Sequence, residues 1–185
     1  GAGFICSLEG KKTNSIIHKA LDILDKLEHR GAVSADGKTG DGAGILIDIP
    51  HHFLKDVCPF KIPKPQTYAL GMVFLPRKMN QRNFCIEIFE NELKRQKLSI
   101  IGWRDVPVNE DVVGDIAKKT LPYIKQIFVK SSSGVIEEDK LNTKAFVARK
   151  RAENIIYKSK MSQNQYFYLP SLSTRTLIYK GLLLP

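Results

Sequence analysis

The pattern of apolar and polar positions predicts strands alternating with amphipathic helices along most of the chain. Apolar residues recur at helical spacing over 13–27, 81–97 and 137–158, with charged residues on the opposite faces. Apolar runs predict strands at 1–8, 43–49, 67–75, 98–101, 123–130, 166–173 and 176–184. This alternation predicts an α+β or layered α/β body.

Shorter segments connect these elements. The pattern predicts a short helix over 50–57 and a helix or turn region over 109–120, and the prolines of 58–66 exclude regular structure there. In the helix at 81–97, the residues predicted to point inward are Phe84, Cys85, Ile88, Phe89 and Leu93, and those predicted outward are Glu87, Glu90, Glu92, Lys94 and Arg95. In the helix at 137–158 the predicted apolar stripe is Leu141, Ala145, Ala148, Ala152, Ile155 and Ile156.

A glycine-rich stretch at 28–44 follows the first helix and precedes the strand at 43–49. It has five glycines, and it also holds Arg30, Asp36, Thr39 and Asp41. Glycine lets the backbone adopt positive φ and approach a ligand closely. The order of helix, loop and strand is opposite to that of a phosphate-binding P-loop, and the glycine spacing fits neither that loop nor the dinucleotide fingerprint. The stretch therefore predicts an organised loop that does not bind a nucleotide.

Charge and length limit the classes of function. The formal net charge is +10, but residues 1–57 carry 7 Lys and Arg against 8 Asp and Glu, whereas 58–185 carry 22 against 11. The basic excess thus lies away from the glycine-rich stretch, which favours a solvated basic face over nucleic-acid binding. No apolar run approaches the roughly 20 residues that span a bilayer. We expect a cytoplasmic protein with no nucleic-acid or membrane partner.

Cysteine and histidine spacing predicts no metal. Cys6, Cys58 and Cys85 are an odd number at wide spacing, which favours reduced, buried thiols over disulfides or a zinc site. The adjacent His51 and His52 do not have the spacing of a metal-binding pair, and we expect a surface or helix-capping role for both.

Several motifs, in the same order along the chain, resemble one family. They are Gly-Ala-Gly-Phe at 1–4, Leu-Glu-His-Arg-Gly-Ala at 27–32, Lys-Thr-Gly-Asp-Gly-Ala-Gly-Ile at 38–45, Gly-Trp-Arg-Asp-Val-Pro at 102–107, and Ser-Leu-Ser-Thr-Arg-Thr at 171–176 with Tyr-Lys-Gly at 179–181. Together they resemble the glutaminase domain of the glutamate synthase large subunit, a class II glutamine amidotransferase of the N-terminal-nucleophile hydrolase superfamily.

The resemblance implies a fold and a chemistry. It implies that residues 1–185 are the N-terminal part of this domain, a four-layer αββα sandwich that is incomplete at its C-terminal side. Glutamine would be hydrolysed to glutamate and ammonia, and the remaining domains of the large subunit would use the ammonia to convert 2-oxoglutarate to glutamate. The implied partners are thus glutamine and those domains. No cofactor is implied within 1–185, whereas FMN and an iron–sulfur cluster are implied in the rest of the enzyme.

The catalytic residues of the family are only partly represented. The family pattern begins Cys-Gly-x-Gly-Phe, so the nucleophilic cysteine would come immediately before Gly1, and Cys6 lacks the free amine that such a nucleophile needs. The Asn-Gly oxyanion motif would follow Pro185. We therefore expect residues 1–185 by themselves to hydrolyse no glutamine.

Arg30 is the one site residue that the resemblance carries over. Its five donors would hold the nucleophile loop and the neighbouring backbone. An arginine at a helix end can also simply bind the last carbonyl groups, and one residue can serve both roles.

Two other functions fit the sequence. One is a non-catalytic docking or scaffolding domain that lacks the nucleophile. The other is a basic nucleic-acid binder, which has only the high isoelectric point in its favour.

Overall fold

A computed structural model describes residues 1–27 and 31–181. The helices are α1 (Asn14–Lys26), α2 (His51–Val57), α3 (Met79–Arg95), α4 (Asp115–Thr120) and α5 (Glu138–Tyr157). The strands are β1 (Ala43–Asp48), β2 (Ala69–Leu75), β3 (Leu98–Asp105), β4 (Tyr123–Ser131) and β5 (Thr176–Gly181). Short 3-10 turns span Glu110–Val112 and Asn164–Tyr166. The described residues form two compact units, one of residues 1–27, 31–47, 108–121 and 179–181, and one of 48–107 and 122–178.

The second unit contains an antiparallel sheet in the order β2-β4-β3. β2 pairs with β4 from Ala69 opposite Val129 to Leu75 opposite Tyr123, and a bulge interrupts the pairing of β3 with β4 between Ile100 and Gly102. Segment 168–173 runs antiparallel along the free edge of β2 through single bridges rather than as a continuous strand. These bridges cover an edge that would otherwise expose unpaired backbone groups.

One face of this sheet and the helices α3 and α5 enclose the main core. Alternate residues of β2 and β4 point toward the helices, because side chains alternate across a strand. Burying each large apolar side chain of this kind contributes about 1.5–3 kcal/mol. The core consists of Ala69, Val73, Leu75, Cys85, Phe89, Leu93, Leu98, Ile127, Val129, Leu141, Ala145, Ala148, Ala152, Ile156, Phe167, Leu169 and Leu172.

The opposite face of the sheet carries aromatic side chains. The ring of Phe128 stacks on Tyr68 and meets the edge of Phe60. A β-carbon at Gly102 would lie 2.4 Å from the Phe60 ring, so the glycine allows this close approach. Both faces of the sheet are therefore covered within the second unit, and every residue of β2 is buried.

The first unit contains α1, α4 and the glycine-rich loop. β1 pairs with β5 in a two-stranded sheet, and a β-carbon built on Gly44 would lie 3.0 Å from the Tyr179 carbonyl oxygen. Helix α1 is strongly amphipathic, yet none of its residues is fully buried.

The α+β prediction is confirmed, and most predicted elements are present within two residues of their expected ends. Two predicted strands are not found: 1–8 has no regular structure, and 166–173 makes only the two bridges to β2. Apolar composition alone does not make a strand, because a strand also needs a paired neighbour.

For several helix residues, the prediction of whether the side chain points inward or outward was wrong. Phe84 and Ile155 are exposed, although they were expected to point inward. Glu92 was expected to be outward but is 2% exposed, because two arginines accompany its carboxylate between α3 and α5.

Candidate functional site

The chain start lies against the end of α1. A β-carbon built on Gly1 would lie 2.8 Å from Leu27 Cδ2, and one on Gly3 would lie 2.9 Å from Ile23 Cγ2. Leu27 directly precedes 28–30, so the start of the chain lies beside the residue from which the glycine-rich stretch departs. Arg30 itself is outside the described residues, and its site role stays a prediction.

The first part of the glycine-rich stretch forms a small hairpin. Val33 and Gly40 form an antiparallel bridge, and Ser34 N donates to the Thr39 carbonyl oxygen at 2.9 Å. At the base of the hairpin, Asp41 N donates to the Ala32 carbonyl oxygen at 3.2 Å. At its tip Gly37 has φ +66°, a conformation that glycine adopts without steric cost.

The Asp36 carboxylate organises this hairpin. Oδ1 accepts hydrogen bonds from the backbone N–H groups of Lys38 at 3.1 Å and Thr39 at 2.8 Å, and Oδ2 accepts from the Thr39 hydroxyl at 2.6 Å. Oδ2 also accepts from Ile116 N in the first turn of α4, at 3.0 Å. These donors, with the Thr39 hydroxyl contributing most, hold the pKa of Asp36 well below its usual range.

Thr39 completes the connection to α4. Its Oγ1 accepts a hydrogen bond from Ala117 N at 3.2 Å while its hydroxyl proton is donated to Asp36. We call this set of contacts between the hairpin and the start of α4 the Asp36–Thr39 latch. The free N–H groups at a helix start need acceptors, and here they are supplied by the loop.

Gly114 makes the latch sterically possible. A β-carbon at this position would lie 2.3 Å from Thr39 Oγ1 and 2.6 Å from Thr39 N. Sequence reasoning did not identify Asp36, Thr39 or Gly114 as a cluster, although an Asp three residues before a Thr is a known turn pattern in which short polar side chains bind nearby backbone.

The motif at 171–176 is held by α5. Asn142 binds Thr174 twice, accepting from its backbone N–H at 3.0 Å and donating from Nδ2 to its hydroxyl oxygen at 2.9 Å. The Thr174 hydroxyl donates to Glu138 Oε1 at 2.6 Å. Thr174 is 4% exposed, so these contacts satisfy buried polar groups.

The cysteines differ in environment. Cys85 lies in the core, where burial raises the pKa of its thiol to about 12, and Cys58 is half-buried. Cys6 is exposed, so the expectation of a buried thiol was wrong there. The reason is that 1–8 is not a strand and enters no core.

His51 lies against a buried tyrosine. Its Nδ1 is 3.1 Å from the Tyr68 hydroxyl, and burial lowers the pKa of the imidazole, with a contribution from Lys55. Among residues 1–27 and 31–181, no group of three or more His, Cys, Asp or Glu is arranged to hold a metal ion. No helix in these ranges is long and apolar enough to cross a membrane.

The family model for class-II glutamine amidotransferases matches residues 1–185. The chain is 36% identical to the glutamate synthase [NADPH] large chain of Bacillus subtilis (strain 168), over all of this chain and 12% of that protein. Identity to the glutamate synthase [NADPH] large chain of Azospirillum brasilense is 41%, again over all of this chain and 12% of the relative.

A third relative is the ferredoxin-dependent glutamate synthase 2 of Synechocystis sp. (strain ATCC 27184 / PCC 6803 / Kazusa), which is 38% identical over 98% of this chain and 11% of its own length. The chain thus spans about an eighth of the length of the curated relatives it matches. Since the family model covers every residue of the sequence, the chain belongs to the class-II glutamine amidotransferases.

Proposed function

We propose that this chain is the N-terminal part of a glutaminase domain in a glutamate synthase. The domain hydrolyses glutamine to glutamate and ammonia, and the ammonia is transferred to 2-oxoglutarate elsewhere in the same enzyme. The observation that carries the proposal is the match over the whole chain, at 36–41% identity, to glutamate synthase large chains.

The chemistry follows the resemblance. A cysteine immediately before Gly1 attacks the side-chain amide carbon of glutamine, and its α-amino group takes the thiol proton. Ammonia leaves with that proton, and water hydrolyses the glutamyl thioester. The contact between Gly1 and Leu27 supports this assignment, because Leu27 directly precedes the stretch that contains Arg30 in the sequence.

Arg30 is assigned the role of holding the loop that carries the nucleophile. Its planar guanidinium presents fixed donors, which a lysine cannot reproduce. The position of Arg30 in the sequence, between α1 and the hairpin, supports this role. Leu27, three residues before Arg30, is contacted by Gly1 at the chain start.

The proposed fold is the αββα sandwich of N-terminal-nucleophile hydrolases. One sheet with the helices α3 and α5 packed on it supports this assignment, since it supplies two adjacent layers of that architecture. FMN and an iron–sulfur cluster are implied for other parts of the enzyme, where they supply electrons. The cysteines within the described ranges do not cluster with other metal ligands. The cytoplasmic location stays a prediction.

The test is glutamine hydrolysis by the full-length protein, with ammonia and glutamate both measured. We expect the two products in equal amounts, and we expect Arg30→Lys to lower kcat/KM. Arg95→Lys is the matched control, because Arg95 is a largely exposed residue of α3 whose nearest contact to Glu92 is 3.4 Å. A folded full-length protein that binds glutamine and releases no ammonia would favour the docking or scaffolding function instead.

A further inference from the structure

We propose that the Asp36–Thr39 latch positions the glutamine site, so that Asp36 and Thr39 are positioning residues for glutamine hydrolysis. This inference rests on the proposed function and adds to it two residues that touch no reacting atom. Its basis is the geometry of the hairpin, the start of α4 and the chain start, all of which lie in the first compact unit.

The hairpin connects two parts of the candidate site through one backbone contact. Ala32, whose carbonyl oxygen accepts from Asp41 N, comes two residues after Arg30. Asp41 in turn begins the segment 41–44, in which Gly42 has φ +123°. A shift of the hairpin therefore moves both the backbone that follows Arg30 and the glycine-rich segment that enters β1.

Two hydrogen bonds from α4 fix the hairpin from outside itself. Ile116 N donates to Asp36 Oδ2 and Ala117 N donates to Thr39 Oγ1, and both link positions about 80 residues apart in the sequence. The internal bonds of the hairpin would survive without them, but its orientation would then depend on the contacts at its base. The bond from Ile116 N to the Asp36 carboxylate is charge-assisted and therefore stronger than a neutral bond, whereas the bond from Ala117 N to the Thr39 hydroxyl is neutral.

The Thr39 hydroxyl has a defined direction in this arrangement. It donates to Asp36 and accepts from Ala117, so both its proton and its lone pair are used. Serine keeps these functions, whereas valine has nearly the shape of threonine but neither a donor nor an acceptor. Thr39 is 5% exposed, so valine leaves Ala117 N without an acceptor in a place that water reaches poorly.

The two sides of the latch can be altered separately in the full-length protein, which tests the inference. Thr39→Val and Gly114→Ala break the latch from opposite sides, the first by removing the hydroxyl and the second by placing a methyl group 2.6 Å from Thr39 N. For both, we expect kcat/KM for glutamine to fall by about 10- to 100-fold, the effect of a small misplacement of reacting groups. We expect most of this loss to appear as a higher KM, because the backbone of 31–44 shifts relative to the bound glutamine.

Rescue by the conservative variant separates positioning from simple stability. Thr39→Ser should restore kcat/KM to within about 3-fold of the parent, since both hydrogen bonds are kept. Asp115→Asn is the control: this carboxylate begins α4, but it is 87% exposed and lies 3.7 Å from Lys118 Nζ, away from the hairpin bonds. It should leave hydrolysis unchanged.

Active sites are counted with an irreversible electrophilic analogue of glutamine, so that rates refer to folded, competent enzyme. Trypsin cleavage after Lys38 reports how firmly α4 holds the hairpin as a whole, because Lys38 is an exposed residue near the hairpin tip, where proteases cut most readily once a loop is released. We expect faster cleavage in Thr39→Val and Gly114→Ala than in the parent.

Thr39→Val with faster cleavage but an unchanged kcat and KM per active site would overturn the inference, since the latch would then be structural only. Unchanged cleavage and unchanged kinetics in both latch variants would overturn it as well. Absence of glutamine hydrolysis in the parent protein would instead contradict the proposed function itself, so the two failures are distinguishable.

Discussion

The guanidinium of Arg175 binds the Glu138 carboxylate through two parallel hydrogen bonds, from Nε to Oε1 at 2.7 Å and from Nη2 to Oε2 at 2.6 Å. Glu138 is in the first turn of α5, and Arg175 directly precedes β5. Two parallel bonds of this kind fix orientation as well as distance. Together with the hydroxyl of Thr174, the pair joins the motif at 171–176 to the helix start.

This pair predicts a pH-dependent loss of stability. Arg175, with a contribution from Thr174, lowers the pKa of Glu138 from 4.5 to about 2. Because the folded pKa is the lower one, the stabilisation is fully present above about pH 4.5 and is lost as the pH falls toward 2. Glu138→Gln should therefore lower the melting temperature of a polypeptide of residues 1–185 at pH 7, and the difference from the parent should shrink below pH 4.5.

Thermal unfolding followed by circular dichroism between pH 2 and 7 measures this difference in melting temperature between Glu138→Gln and the parent. Glu137→Gln is the matched control, because Glu137 is exposed and its pair with Lys140 lies on the surface. A melting-temperature difference for Glu138→Gln that stays constant over the whole pH range would contradict the assignment.

The buried carboxylate of Glu92 predicts unequal roles for its two arginines. Arg151 Nε lies 2.5 Å from Oε2, whereas Arg95 Nη1 lies 3.4 Å from Oε1 and is more exposed. Removing the closer partner leaves a buried charge poorly compensated. Arg151→Ala should destabilise the packing of α3 on α5 by about 1–3 kcal/mol, and Arg95→Ala by less than about 1 kcal/mol.

The destabilisation in both variants can be measured by hydrogen exchange of the α3 and α5 amides in the full-length protein. Equal increases in exchange for Arg151→Ala and Arg95→Ala would show that the shorter contact is not the one that compensates Glu92.

The sequence pattern predicted the elements of the second unit because their apolar residues recur at regular spacing over long segments. α5 is the clearest case: Leu141, Ala145, Ala148, Ala152 and Ile156 are all buried as the spacing requires. The pattern failed where burial depends on a partner far along the chain. Glu92 was predicted to point outward because it is charged, and nothing in the sequence of 81–97 indicates that Arg151 reaches its carboxylate.

The candidate site was less predictable. The glycine density of this stretch indicated an organised loop, which the hairpin at 32–41 confirms for the described residues, but the contact of Asp36 with Ile116 depends on a segment 80 residues away. The strand predicted at 1–8 failed for a related reason. Phe4 is 89% exposed and Leu8 fully exposed, and residues 1–8 pair with no strand in the part of the chain that the structure describes.

Cys6 provides a simple test of the nucleophile assignment. In this sequence its nitrogen is part of a peptide bond, so the thiol cannot use its own amine as the base. Cys6→Ser should leave kcat and KM for glutamine unchanged in the full-length protein, and it should not change the rate of inactivation by an electrophilic glutamine analogue. A loss of hydrolysis as large as that expected for a nucleophile, about 10^6-fold, would mean that the thiol acting in the reaction is Cys6.

The close approach of segment 168–173 to β2 predicts a specific requirement for glycine at position 71. A β-carbon there would lie 2.6 Å from the Ser171 carbonyl oxygen and 3.1 Å from Leu172 Cδ1. The first contact is with backbone, so it cannot be relieved by a side-chain rotation. Gly71→Ala should separate segment 168–173 from β2 and destabilise the second unit by about 1–3 kcal/mol.

The bridge between Leu70 and Ser173 should be lost first, because Leu70 N and the Ser173 carbonyl oxygen lie at 2.8 Å immediately beside the clash. Hydrogen exchange at Leu70 and Ser173 should therefore rise more than in the centre of β4. Ser171→Ala is the matched control in the same segment, since its buried Oγ has no hydrogen-bond partner in the described part of the chain and its loss costs little. If Gly71→Ala exchanged no faster than Ser171→Ala, the tight contact with the Ser171 carbonyl oxygen would be contradicted.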